Sequence, residues 1–273
     1  MKEKSVKFNF IMNIVLTMSN FIFPLITFPY VSRILLPIGT GKVAFATSIV
    51  TYFSMFAQLG IPTYGIRVCA QVRDDKEKLS RTVQELLGIS IWTTAAAYLL
   101  FFIGLWTVPR MRADKTLFLI VSTMILFNSI GMEWLYKGLE EYSYITIRSI
   151  IVKIISAGAM FLLVKSKEDY VIYGGISIFA SSASNVLNFM NAHKYVSLRP
   201  TGKYNFRQHM KPIMIFFAMS CAATIYTNLD TVMLGFIKTD EDVGYYNAAV
   251  KIKGILVSII TSLGTVLLPR ASY

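Results

Sequence analysis

Charge is scarce in this sequence. Asp, Glu, Lys and Arg make up 15% of its 273 residues, where a soluble globular chain carries about 25%. Together with a mean hydropathy of +0.56, this shortage excludes a disordered chain and argues against a soluble enzyme. Cysteine is almost missing. Cys69 and Cys221 stand far apart and form no C-x-x-C or zinc-type spacing, so both are expected to be ordinary packing residues. The two histidines, His193 and His209, share one loop without metal spacing. No glycine-rich loop ends in Lys-Ser or Lys-Thr, which argues against ATP hydrolysis by this chain. The alternating segments of about ten residues that mark a membrane β-barrel are missing too. Acidic clusters are few and poorly placed. Asp74-Asp75 has no second acidic cluster facing it, and Asp240-Glu241-Asp242, which mimics a sugar-transferase metal motif, falls in an expected external turn. The reading is therefore not an enzyme, with no cofactor and no metal site.

What the chain has in quantity is apolar sequence, 55% of its residues. Phe8–Ser32, Val43–Ile66, Leu86–Pro109, Thr116–Met132 and Tyr170–Ala192 contain no charge at all. Three further apolar runs carry a few charges: Tyr144–Val164 with Arg148 and Lys153, Pro212–Ile237 with Asp230, and Val243–Pro269 with Lys251 and Lys253. Backbone groups in hydrocarbon must be satisfied within their own segment, so each run predicts a helix. Eight spans of roughly 20 residues use about 160 positions, leaving room only for short loops. The expected fold class is all-α, a polytopic membrane protein with about eight transmembrane helices. Phe8–Ser32 is far longer than the h-region of a signal peptide, about 7–15 residues, and shows no cleavage site; it reads as an uncleaved first span. Pro24 and Pro29 are expected to bend it.

The net charge of +12 suits nucleic acid in a soluble protein. In a membrane chain it points to basic loops on the cytosolic side, and no nucleic-acid partner is expected. With the amino terminus inside, 16 Lys and Arg residues fall in cytosolic segments and 8 in external ones, which predicts a cytosolic amino terminus. The longest hydrophilic connection, His193 to Lys211, is basic. It divides the chain into a first lobe of six spans (1–193), a cytosolic linker (194–211) and the first two helices of a second lobe (212–273). A faint internal echo accompanies the division: Gly41, Ala46 and Ile49 recur as Gly244, Ala249 and Ile252, offset by 203.

Several stretches, in order along nearly the whole chain, are similar to one family. Phe28-Pro29-Tyr30-Val31-Ser32-Arg33 closes the first span. Asp74-Asp75-Lys76-Glu77-Lys78-Leu79-Ser80 lies in the second loop, and Glu133-Trp134-Leu135-Tyr136-Lys137-Gly138-Leu139-Glu140 follows the fourth span. Tyr226-Thr227-Asn228-Leu229-Asp230, Val243-Gly244-Tyr245-Tyr246-Asn247-Ala248-Ala249 and Leu267-Leu268-Pro269-Arg270 mark the last two spans. Jointly these resemble the amino-terminal portion of polysaccharide flippases of the O-antigen (Wzx) type, within the multidrug, oligosaccharidyl-lipid and polysaccharide exporter superfamily. After Arg33 the family usually reads Leu-Gly-Pro-Glu, whereas Leu35-Leu36-Pro37-Ile38-Gly39 stands here. Family members have about twelve spans or more, so eight suggest a truncated product.

The resemblance implies transport of an undecaprenyl-pyrophosphate-linked oligosaccharide, an O-antigen or capsule repeat unit, to the outer leaflet of the bacterial inner membrane. Its implied partners are that lipid-linked substrate, membrane lipid and polysaccharide assembly proteins. Charges inside spans are costly in lipid and usually face a cavity or a partner. The candidate substrate-binding residues are therefore Lys153, Lys251, Lys253 and Arg148, with Arg33 and Arg67 at span ends. Lys153 reads either as a cation for a phosphate or as the partner of Glu133. Asp230 reads as the partner of Lys251 or Lys253, or as a coupling site for a proton or cation. Arg148 reads equally as an interface anchor, and Arg33 and Arg67, at span ends, read more readily as anchors than as cavity residues. The rival functions are an organic-cation exporter of the same superfamily, whose cavity should be acidic, and an inactive remnant.

Overall fold

The computed structural model describes residues 6–200, 202 and 204–271, with only the backbone described for 6, 7, 255, 256 and 258–271. Lys2, Lys4, Lys203 and the side chains of Lys7 and Arg270, which entered the charge count above, lie outside the described residues, as do Thr201, Ser272 and Tyr273. Among the described residues there is no strand. The helices are α1 (Val6–Gln58), α2 (Ile61–Val72), α3 (Lys76–Thr107), α4 (Pro109–Ala113), α5 (Lys115–Ile130), α6 (Glu133–Gly138), α7 (Tyr142–Leu163), α8 (Tyr170–Ile178), α9 (Ser184–Asn191), α10 (Arg207–Ile237) and α11 (Asp240–Ala271). A π turn, Phe179–Ala183, joins α8 to α9.

Helix α1 has 53 residues and would be roughly 80 Å long if straight, more than twice a bilayer core of about 30 Å. It is broken at Leu36 (φ 58°, ψ 176°). Proline disfavours the helical region for the residue before it, and Leu36 precedes Pro37. Pro24 and Pro29 also lie inside α1, but Leu36 is its non-helical residue. The chain reverses there. Asn9 and Arg73 both reach the Glu140 carboxylate, at 3.4 and 2.8 Å, so residues 9 and 73 share one end of the molecule, the proximal end. Tyr30 donates to the Val164 carbonyl (3.0 Å), and Lys42 and Tyr170 both reach Asp114 (2.9 Å each) at the opposite, distal end. Thus α1 makes two passes.

Six helical stretches of the described residues are long and apolar enough to cross a membrane: Phe8–Val72, Lys76–Thr107, Lys115–Gly138, Tyr142–Leu163, Lys167–Lys194 and Arg207–Ile237. The first holds the first two expected runs, and α11 carries the eighth. This is a multi-pass, all-α membrane protein. Its outward surface is that of a protein solvated by lipid: Trp92 is 80% exposed and Leu162 74%, and burial of their apolar area is supplied by acyl chains rather than by protein. Inside, one apolar cluster around Leu35, Phe101, Phe118 and Met160 fills the distal half, and another around Leu86, Trp134, Tyr136 and Ile145 fills the proximal half.

The last two helices pack along the second pass of α1. Phe56 meets Phe217 (5.5 Å between ring centroids) and Phe45 meets Phe236 (5.3 Å). At the distal end α1 and α11 touch backbone to backbone. A Cβ on Gly41 would stand 1.8 Å from the Asp240 carbonyl oxygen, and one on Gly244 would stand 2.0 Å from the Pro37 carbonyl oxygen. Only glycine permits either approach. The two contacts are reciprocal, since 37 to 240 and 41 to 244 are both shifts of 203, the offset of the sequence echo. Arg110 fastens the same corner: it pairs with Asp240, donates to the Gly235 carbonyl (3.1 Å) and lies 5.4 Å over the Phe45 ring.

Candidate functional site

Helix α7 carries two buried cations. Lys153 is its twelfth residue, roughly 16 Å from its start, and only 9% exposed. Its ammonium donates to Ser19 Oγ (2.7 Å) and to Asn20 Oδ1, both on the first pass of α1. Both acceptors are neutral, and among the described residues Lys153 forms no ion pair. Glu133, its alternative partner, is engaged elsewhere: it pairs with Lys137 (2.8 Å) and stands 3.6 Å from Arg148. Lys153 lines a groove of about 440 Å³ whose other walls are Val15, Ile22, Phe23, Ile150 and Ile154 among apolar neighbours.

Arg148 is 5% exposed. It donates to the Ser184 carbonyl (2.6 Å), just past the π turn, and lies 5.8 Å from the Tyr144 ring centroid. It is therefore held inside the helix packing, not extended to the interface as an anchor. Arg33 at the distal end and Arg67 at the proximal end are exposed, and among the described residues neither forms an ion pair, as suits residues at a headgroup boundary.

On α11 the two lysines part company, as their spacing of two requires. The Lys251 ammonium sits 4.1 Å over the Phe28 ring of α1 and 3.4 Å from Tyr173 Oη of α8. Lys253 is exposed. Asp230 meets neither: its carboxylate accepts from Tyr246 Oη on α11, and among the described residues it forms no ion pair. The structure thus brings Lys153 and Lys251 against the first pass of α1 from different helices. Lys251 does not line the Lys153 groove.

The acidic stretches have structural roles. Asp75 accepts from the Glu77 and Lys78 amides (3.1 and 3.0 Å) at the start of α3, and Asp242 accepts from the Thr239 amide and hydroxyl (3.1 and 2.8 Å). Both cysteines are free, and Cys69 is buried.

Sequence reasoning passes over one cluster. Glu85 is 1% exposed and His209 2%, and they meet at 2.8 Å with Tyr64 Oη 2.8 Å from the other ring nitrogen. The signal for it is thin: a carboxylate one residue ahead of the charge-free run at Leu86, and a histidine three ahead of the run at Pro212. Their shared position at one membrane end is what relates them.

Comparison with known proteins agrees with the resemblance. A protein named as a candidate O-antigen transporter in Escherichia coli (strain K12) is 24% identical over 256 residues, 93% of this chain and 62% of its own length. One of the same description in Shigella dysenteriae is 25% identical over 257 residues, 93% of this chain and 64% of its own. The chain thus spans less than two thirds of the length of these relatives. No solved structure matches it. The family model described as "Polysaccharide biosynthesis protein" matches residues 6–273, and the chain belongs to that family.

Proposed function

We propose that the intact protein is a flippase that carries an undecaprenyl-pyrophosphate-linked oligosaccharide, an O-antigen or capsule repeat unit, from the cytosolic to the outer leaflet of the bacterial inner membrane. The family and the named relatives support the polysaccharide-export part of this reading. The observation that carries the rest is Lys153. Removing a charge from water costs several kcal/mol unless an opposite charge compensates it, and here two neutral oxygens hold the ammonium. Its field remains available to an anion, and a pyrophosphate is the anion that such a substrate brings into the membrane. Lys251, Arg148 and Lys253, with Arg33 and Arg67 at the two ends, extend the positive character of the path. Glu133 acts in ion pairing with Lys137 and Arg148, and Asp230, which pairs with neither lysine of α11, is left the coupling role. In this reading residues 1–193 form one lobe, 194–211 a cytosolic linker and 212–273 the opening of a second lobe, with the amino terminus in the cytosol and polysaccharide assembly proteins as partners. The transport is not enzymatic.

An organic-cation exporter would place carboxylates where the buried cations Arg148 and Lys153 stand, so the charge inside the spans favours the glycan. The test is complementation. In a strain deprived of its own flippase, the intact protein should restore surface glycan, and Lys153→Ala should cut that glycan at least tenfold at equal protein abundance. Full surface glycan from Lys153→Ala would remove the support for this reading.

A further inference from the structure

The connection between His193 and Lys211 does not hang free. It lies along one face of α3. The Ser197 amide donates to Ser80 Oγ (3.0 Å), Gln84 donates to the Ser197 and Arg199 carbonyls (2.7 and 2.8 Å), and Tyr204 Oη donates back to Gln84 Oε1 (2.7 Å). Phe206 lies against Gly88, where a Cβ would come within 2.9 Å of its ring. Residues 80, 84 and 88 are four apart, which sets them on one stripe of a helix.

At the centre is Glu85. An ionised carboxylate has about four acceptor positions, and four donors are aimed at it. Oε1 receives the Asn205 amide (2.6 Å) and Arg81 Nε (3.2 Å); Oε2 receives Gln208 Nε2 (3.0 Å) and His209 Nε2 (2.8 Å). Because the carboxylate only accepts, Nε2 of His209 carries the hydrogen. Tyr64 on α2 closes the chain at Nδ1 (2.8 Å). Three of the four donors come from residues 205–209, at the start of α10. One buried carboxylate of the first helices thus gathers the entry of the later ones.

We propose that Glu85 is a latch: it holds α10 against α2 and α3 at the proximal end, and its release opens that end while the glycine contact at the distal end stays closed. Glu85 takes two of its bonds from α10 itself, Gln208 and His209, and a third from the Asn205 amide just before it. A carboxylate suits the task because charge-assisted hydrogen bonds are roughly twice as strong as neutral ones, and losing the acceptor leaves the buried His209 donor unmet.

The test reads access of water-borne reagent to the two ends. Cys69 and Cys221 are replaced by Ala in the 273-residue chain, held in lipid nanodiscs, and a single cysteine is placed at Ile213 (proximal) or Val243 (distal), both 0% exposed. The rate of labelling by a charged maleimide is measured for each. Glu85→Gln should raise the rate at position 213 at least tenfold and leave position 243 within twofold. Asn205→Pro removes one donor without touching α3 and should raise the rate at 213 by a smaller factor, which keeps the test open should Glu85→Gln fail to accumulate. An unchanged rate at 213 in both variants, or equal acceleration at the two ends, overturns the latch. The measurement needs no glycan, so it stands or falls separately from the export test.

Discussion

A lysine kept deep in a bilayer protein with only hydroxyl and amide oxygens around it is a costly residue for stability. Replacing Lys153 by Met, close in length and apolar, should leave the thermal midpoint equal or higher while glycan export falls at least tenfold; thermal denaturation in detergent beside the surface-glycan assay reads both. A fall in midpoint would mark Lys153 as a structural support. The pair on α11 gives a contrast within one helix. Lys251→Ala removes a cation–π contact with Phe28 and should cost about 1 kcal/mol, whereas Lys253→Ala, at an exposed position, should stay within about 0.5 kcal/mol. Equal losses in chemical denaturation would contradict the different surroundings of the two lysines. These residues were legible in the sequence as charges inside apolar runs. Their partners were not, because hydrogen bonds such as Lys153 to Ser19 and Asn20 join positions more than 130 residues apart.

At the scale of the element, helices were legible wherever hydrophobicity alone decides. The five charge-free runs correspond to the two passes of α1 with the start of α2, and to α3, α5 and the stretch from α8 to α9. What escaped were local breaks with no composition of their own: the π turn at Phe179–Ala183 and the left-handed Met132 ahead of α6. The hairpin at Leu36 had a signal in Pro37, though the family pattern differs there. Asp75 caps α3, and its hydrogen bonds with Lys78, backbone and side chain, hold its carboxyl below the usual carboxylate range. The sign follows from linkage. With a folded pKa below the unfolded one of about 3.9, the cap stabilises above that value and is lost as pH falls through the lower folded pKa. Asp75→Ala should therefore lower the thermal midpoint at pH 7, and the gap from the parent should shrink towards pH 3. A gap of the same size at both pH values would show that the charge plays no part. The glycine crossing is the stiffest element-level constraint. Gly244→Ala should cost about 1–3 kcal/mol, the usual penalty of overpacking, read as a lower midpoint; an unchanged midpoint would mean that α1 and α11 part freely.

For the whole molecule, the sorting of charge between two ends is the firmest legible feature. Residues expected on one side, such as Arg73, Arg81 and Lys194, lie at the proximal end, and Lys42, Arg110 and Lys165 lie at the distal end, as the contacts around Glu140, Glu85 and Asp114 require. Reporter fusions at Lys165 and Lys194 should accordingly report opposite sides of the membrane; the same side would break the topology. The Glu85 cluster was not legible, because hydropathy ranks a lone Glu and a lone His beside apolar runs as ordinary loop residues.

The reciprocal contact of Gly41 with Asp240 and of Gly244 with Pro37 has the form of a two-fold axis passing through the crossing. A tilt that pivots at this crossing has almost no lever arm there: it slides the two backbones by little and leaves the contact intact. The second pass of α1 runs from that joint to Gln58, roughly 33 Å at 1.5 Å per residue. A tilt of about 15°, the size seen when protein subunits swivel, about a line lying across the helices at the joint would carry its far end by about 9 Å, comparable to the spacing of two packed helices. Two glycines at one end would thus let a small tilt become an opening the width of a helix at the other.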